Sequence, residues 1–140
     1  KLIIYHGLAD TLVPPAQSVA FYERQMTELG GREPTEAVAR LFMAPGLMHC
    51  AGGTGPDSFN SAAGGTPLPP VSDPNHDLFA ALIAWTNGGP APGQVIATKY
   101  GTDNTKTITF QRKLCAYPQQ ARHDAGGSAA SADSFACSAP

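Results

Sequence analysis

Two short polar stretches follow apolar runs in this sequence and carry side chains suited to proton transfer. Asp10 comes five residues after Tyr5, where the first apolar run ends, and His49 comes six residues after Met43, the end of a second run. Reactive groups of parallel α/β sheets collect beyond the carboxyl ends of the strands, so the two loops should lie side by side. An aspartate that accepts the Nδ1 hydrogen of a histidine leaves Nε2 free as a base. The spacing therefore predicts the acid and base of a Ser-His-Asp site.

The serine that this pair would serve cannot be recognised in the sequence. No Gly-x-Ser-x-Gly segment is present, and the nearest approach, 126–130, follows no strand pattern, so we reject Ser128 as a nucleophile. Cys50 adjoins His49, but neighbouring residues seldom form a nucleophile and base pair. We expect Cys50 to form a disulfide instead.

Each of these residues also has a purely structural interpretation. Asp10 alone is equally well explained as a loop residue that accepts backbone N–H groups, and His49 alone as an exposed loop histidine. Their joint position favours catalysis. His6 lies at the strand end, where we expect it to pack or form hydrogen bonds with a minor part in shaping the site. We expect His76 and His123 to be solvated.

The three cysteines, Cys50, Cys115 and Cys137, leave one without a partner in the chain and have no Cys-x-x-Cys spacing. Disulfide chemistry in an oxidising compartment is therefore favoured over a structural zinc site. An alternative metal site would have to use four residues of the two loops, His6, Asp10, His49 and Cys50. Their irregular spacing gives that alternative little support, so we predict no metal in this chain.

Composition excludes two classes of partner. The net charge is -2, only 14% of residues are charged, and no cluster of Lys and Arg could follow a phosphate backbone, so we expect no nucleic acid binding. No apolar run approaches the roughly 20 residues that span a bilayer, so we expect no membrane partner. The sequence opens on an apolar strand without an initiator methionine, and we interpret it as the C-terminal part of a longer parent.

The predicted elements place the two loops at one edge of a parallel sheet. Strands are predicted at Leu2–Tyr5 and Ala39–Met43, and between them lies a helix whose apolar face ends at Gly30-Gly31. A long loop, 44–72, follows. Ser72 or Asp73 is predicted to cap the next helix, which Asn87-Gly88-Gly89-Pro90 ends.

The remaining third of the chain is predicted to contain a hairpin and a loosely structured tail. Segments 95–100 and 107–112 flank the turn residues 101–104, and the hairpin is expected to be peripheral. The tail from Cys115 shows little periodicity. The fold class is therefore α/β, with 1–92 carrying the acid and histidine loops and 93–140 carrying the hairpin and tail.

Four segments resemble the tannase and feruloyl esterase family. They are His6-Gly7-x-x-Asp10-x-x-Val13-Pro14-Pro15, Phe42-Met43-x-Pro45-Gly46-x-x-His49-Cys50-x-Gly52-Gly53-x-Gly55-Pro56-Asp57, Asp77-Leu78-x-x-Ala81-Leu82-x-x-Trp85-x-x-x-Gly89-x-Ala91-Pro92, and Arg112-x-Leu114-Cys115-x-Tyr117-Pro118 with Phe135-x-Cys137. The resemblance implies the C-terminal portion of an α/β-hydrolase sheet, with its last two parallel strands and crossover helices, a peripheral hairpin and a disulfide-closed tail. It implies that Asp10 and His49 belong to the triad.

The resemblance also implies the chemistry of the parent. Cys50 would be bonded to a cysteine beside the catalytic serine upstream of this chain, and Cys115 would pair with Cys137. The parent would be a secreted or periplasmic serine esterase that cleaves galloyl- or feruloyl-type aromatic esters, with the N-terminal part as partner. Any calcium would belong to the lid of that part, no cofactor is expected here, and the isolated chain should be inactive. The alternative is a non-catalytic binding or assembly module.

Overall fold

A computed structural model describes residues 1–102 and 106–140, and its centre is a pair of parallel strands. β1 (Leu2–Gly7) and β2 (Ala39–Ala44) pair in parallel, with Leu2 opposite Ala39 and Gly7 opposite Ala44. β1 opens with the continuous apolar run Leu2–Tyr5, and β2 is mostly apolar apart from Arg40, which suits a sheet covered on its two faces. The predicted parallel pair is confirmed.

Two helices connect these strands. α1 (Pro15–Glu28) begins with proline in its first turn, and the chain leaves it through Gly30 at φ 84°. Tyr22 of α1 is buried against β2 and donates a hydrogen bond to the carbonyl of Ala39 (3.1 Å). The short α2 (Arg32–Glu36) was not predicted from the sequence, and it contains Pro34, a residue that usually interrupts a helix. Here the proline lies in the first turn, where no intrahelical N–H bond is lost.

The helix α3 (Leu78–Thr86) begins later than predicted. Its N-cap is Asp77, whose side chain accepts from the N–H of Phe79 (2.9 Å). The prediction of Ser72 or Asp73 as the cap was therefore wrong. The carboxylate of Asp73 instead accepts from the N–H groups of Asn75 and His76, which closes a separate turn just before the helix.

The hairpin consists of β3 (Gln94–Tyr100) and β4 (Ile108–Cys115), with a bulge between Lys99 and Tyr100. Part of the predicted turn 101–104 lies outside the described residues. We expected the hairpin to be peripheral, and this was wrong, because its inward side chains help to form the main core. That core comprises Phe42, Ala44, Leu47, Phe59, Leu78, Val95, Ala97, Leu114 and Ala116. The hairpin therefore supports the loops that follow β2.

The tail is more ordered than its composition suggested. β5 (Gln120–His123) pairs antiparallel with β6 (Phe135–Ser138), and a 3-10 helix (Ala132–Ser134) precedes β6. The predicted disulfide between Cys115 and Cys137 is present and closes a loop with a sequence separation of 22. Closing a loop of this length stabilises a fold by about 3 kcal/mol. The division of the chain near residue 92 stays a prediction.

Candidate active site

Asp10 lies in the loop after β1 and is fixed by its neighbours. Its Oδ1 accepts hydrogen bonds from the backbone N–H groups of Leu12 (2.8 Å) and Val13 (3.0 Å), and its side chain is only 4% exposed. The Val13 N–H is the largest cause that holds the pKa of Asp10 well below its usual range, and the bonds from His49 and Leu12 act in the same direction against the effect of desolvation. Asp10 is therefore a carboxylate.

His49 lies at the tip of a tight hairpin loop after β2. Leu47 and Gly53 form a bridge, Met48 donates to the carbonyl of Gly52 (3.3 Å), and Gly53 lies at φ 88°. Cys50, directly after the histidine, has a φ of 62°, which is uncommon outside glycine. The backbone of His49 is therefore held in a tight turn that these contacts close.

The two loops bring the predicted pair into contact. His49 Nδ1 lies 2.8 Å from Asp10 Oδ2. A carboxylate only accepts, so Nδ1 carries the hydrogen and Nε2 is left as an acceptor. The side chain of His49 is 47% exposed, and within the described residues its ring has no hydrogen-bond partner besides Asp10. The predicted hydrogen bond between acid and histidine is thus present.

Backbone contacts beyond the strand ends keep these loops in register. Leu8 donates to the carbonyl of Ala44, and Ala9 donates to that of Leu47, both at 2.9 Å. A side chain at Gly7 would collide with the Leu47 backbone carbonyl. Glycine at this position therefore allows the acid loop and the histidine loop to approach closely.

Lys99 of β3 supports the histidine loop and was missed by the sequence analysis. Its Nζ donates to the carbonyl of Gly53 (2.9 Å) and contacts Asp57 Oδ2 at 3.0 Å. A lysine in a hairpin strand carries no sequence signal for such a role, since strand lysines are usually solvated. The contact ties the base of the histidine loop to the hairpin.

The other histidines occupy different surroundings. His6 Nε2 lies 3.2 Å from Asp10 Oδ2, so His6 is nearer to the site than expected. His76 was expected to be solvated, but its side chain is only 22% exposed and its Nδ1 lies 2.9 Å from Asp73 Oδ1. His123 is exposed, and its ring packs against Phe135.

The described residues add no third catalytic group. Within 1–102 and 106–140, no serine is a hydrogen-bond partner of His49, and Ser128 accepts from Ala130 in the tail. Cys50 is a free, exposed cysteine. Over the same ranges, no group of three or more His, Cys, Asp and Glu residues is placed to hold a metal ion.

A family model described as tannase and feruloyl esterase matches residues 1–138. The chain belongs to the tannase and feruloyl esterase family. This confirms the resemblance drawn from the four sequence segments, and the family is one of carboxylic ester hydrolases. None of the helices in the described residues has the length and apolar character that a membrane span requires.

Several known proteins align with almost the whole of this chain but are much longer than it. It is 36% identical to an uncharacterized esterase of Xanthomonas campestris pv. campestris over 98% of this chain and 26% of the relative. It is 35% identical to the mono(2-hydroxyethyl) terephthalate hydrolase of Piscinibacter sakaiensis over 100% of this chain and 20% of the relative. The crystal structure of feruloyl esterase B from Aspergillus oryzae superposes with a TM-score of 0.84 at 26% identity, covering 99% of this chain and 26% of that one. This member of the tannase and feruloyl esterase family thus spans between a fifth and about a quarter of the length of these proteins.

Proposed function

We propose that this chain supplies the acid and the base of a serine carboxylic ester hydrolase, in which Asp10 orients His49 and a serine outside the chain is the nucleophile. The 2.8 Å bond between His49 Nδ1 and Asp10 Oδ2 carries the proposal. It leaves Nε2 as an acceptor on a half-exposed ring, beside a carboxylate that stays charged. This is the arrangement that activates a hydroxyl nucleophile.

The proposed reaction proceeds in two proton-coupled steps. His49 Nε2 takes the hydroxyl proton as the serine oxygen bonds to the ester carbonyl carbon, and the imidazolium returns that proton to the departing alcohol. The acyl group is then bonded to serine. Water attacks the acyl-enzyme with His49 again as base, which releases the carboxylic acid and restores the serine. Asp10 stabilises the imidazolium in both steps through the Nδ1 bond.

Aromatic acyl esters are the proposed substrates. Two similar proteins are named for aromatic substrates, one for a terephthalate ester and one for feruloyl esters. Exposed apolar side chains flank the pair in sequence on both loops, with Leu8 52%, Leu12 73% and Met48 45% exposed. Such surface suits a substrate pocket that receives an aromatic ring.

An assay of the full-length protein tests this proposal. We expect hydrolysis of methyl ferulate, methyl gallate and nitrophenyl benzoate at higher kcat/KM than nitrophenyl esters of aliphatic acids, and labelling of one serine outside residues 1–140 by a fluorophosphonate probe. The 140-residue chain alone should hydrolyse none of these esters. Activity without serine labelling would contradict the mechanism, and a preference for aliphatic esters would contradict the substrate class.

We further propose that Cys50 is joined by a disulfide to a cysteine beside the nucleophilic serine, and that the protein is secreted or periplasmic. The Cys115–Cys137 bond supports an oxidising compartment. In the full-length protein, non-reducing peptide mapping should link the Cys50 peptide to one outside this chain. Alkylation of Cys50 without prior reduction would show a free thiol and exclude the bond.

A further inference from the structure

His6 lies beneath the loop that carries Asp10, and each of its ring nitrogens has a partner. Nδ1 is 2.7 Å from the hydroxyl of Ser18 on α1, and Nε2 is 3.1 Å from the carbonyl of Val13. The same Nε2 is 3.2 Å from Asp10 Oδ2. The side chain is 10% exposed, so these contacts form largely away from water.

The partners decide which ring nitrogen carries the hydrogen. Nε2 faces a carbonyl and a carboxylate, both of which only accept, so Nε2 must be protonated. Nδ1 faces a hydroxyl, which can donate to it. Hydrogen on Nε2 therefore satisfies the carbonyl and the carboxylate, and the Ser18 hydroxyl can satisfy Nδ1 either as donor or as acceptor. In His49, by contrast, the nitrogen that carries the hydrogen toward Asp10 is Nδ1.

His6 acts on both oxygens of the Asp10 carboxylate. By donating to the Val13 carbonyl, it fixes the peptide segment whose N–H donates to Asp10 Oδ1. The positive end of its Nε2–H dipole also lies beside Oδ2, the oxygen that accepts from His49. A continuous series of hydrogen bonds thus leads from α1 to His49, through Ser18, His6, the Val13 backbone and Asp10.

We infer that His6 is a positioning residue of the ester hydrolase site, which holds Asp10 at the distance and angle that His49 requires. The inference rests on the proposed function. A small displacement of a catalytic group lowers turnover strongly, by about 100-fold for a shift near 1 Å. Loss of His6 should therefore lower kcat and leave substrate binding nearly intact.

Glutamine and methionine form a matched pair of replacements at residue 6. Both are unbranched and similar in length, but only glutamine retains an N–H donor for the Val13 carbonyl. In the full-length protein, His6→Met should lower kcat by about 10-fold to 100-fold with KM within about 2-fold of wild type. His6→Gln should recover most of that loss. Equal impairment of the two variants would indicate a role in folding alone, and wild-type kcat in His6→Met would overturn the inference.

Histidine-selective ¹⁵N NMR of the full-length protein provides a readout besides activity. We expect hydrogen on His6 Nε2, and a slowly exchanging His49 Nδ1 proton that exchanges faster in His6→Met and stays protected in His6→Gln. Hydrogen on His6 Nδ1 alone would overturn the inference. If the wild-type protein hydrolyses no ester, the proposed function fails, but these tautomers and the His49 proton still decide the role of His6.

Discussion

Replacing His49 by alanine in the full-length protein is expected to lower kcat by about 10⁴-fold or more. The substitution removes the group that accepts the nucleophile proton and later returns it to the leaving alcohol. Among the described residues, no other exposed side chain contacts Asp10 and could replace the imidazole. KM should change little, because the imidazole transfers protons in the chemical steps and contributes little to substrate binding. Steady-state kinetics on methyl ferulate measure both parameters.

A second aspartate–histidine pair in the chain provides the matched control. His76 Nδ1 lies 2.9 Å from Asp73 Oδ1 at the approach to α3, in another loop from the proposed site. The local pairing is thus similar, but His76 is partly buried and was given no catalytic role. His76→Ala should retain kcat within about 2-fold. A comparable loss in both variants would mean that the His49 effect reflects instability, and near wild-type activity in His49→Ala would exclude His49 as the base.

The positions of Asp10 and His49 could be predicted because they follow from strand order. Parallel neighbours bring their carboxyl ends to one edge, and both strands are recognisable as mostly apolar segments. The sequence cannot show that His6 reaches Asp10, or that Lys99 reaches the Gly53 carbonyl across a sequence separation of 46. These contacts depend on side-chain reach across packed elements, for which periodicity provides no signal.

The errors in the predicted fold have related causes. The hairpin was expected to be peripheral because its alternation resembles that of any half-exposed strand pair, whereas Val95, Ala97 and Leu114 complete a core built mostly by earlier segments. The strands of the tail were missed because each has only four residues. Their pairing is supported by the Cys115–Cys137 bond and by the Arg112 guanidinium between the rings of Phe110 and Phe135.

Asp10→Asn should lower kcat almost as much as His49→Ala, although it only replaces a carboxylate oxygen by an amide nitrogen. Oδ1 of Asp10 accepts from two backbone N–H groups, those of Leu12 and Val13, so the amide oxygen of asparagine must occupy that position. The amide nitrogen then faces His49 Nδ1 and can only donate to it. His49 is thereby driven to the tautomer that has hydrogen on Nε2, where it cannot accept the nucleophile proton. We expect kcat to fall by about 10³-fold to 10⁴-fold.

The same substitution predicts how stability depends on pH. The pKa of Asp10 is lower in the folded protein than in the unfolded chain, chiefly through the Val13 N–H, so its stabilising effect is fully present above the usual carboxyl pKa and is lost on acidification towards the folded value. The difference in unfolding free energy between wild type and Asp10→Asn should therefore shrink as the pH falls below about 4. Asp73 also has a lowered pKa, but it is common to both proteins and cancels. Urea unfolding between about pH 5 and about pH 3 measures the difference, and a difference that grows over that range would contradict a charged, hydrogen-bonded Asp10.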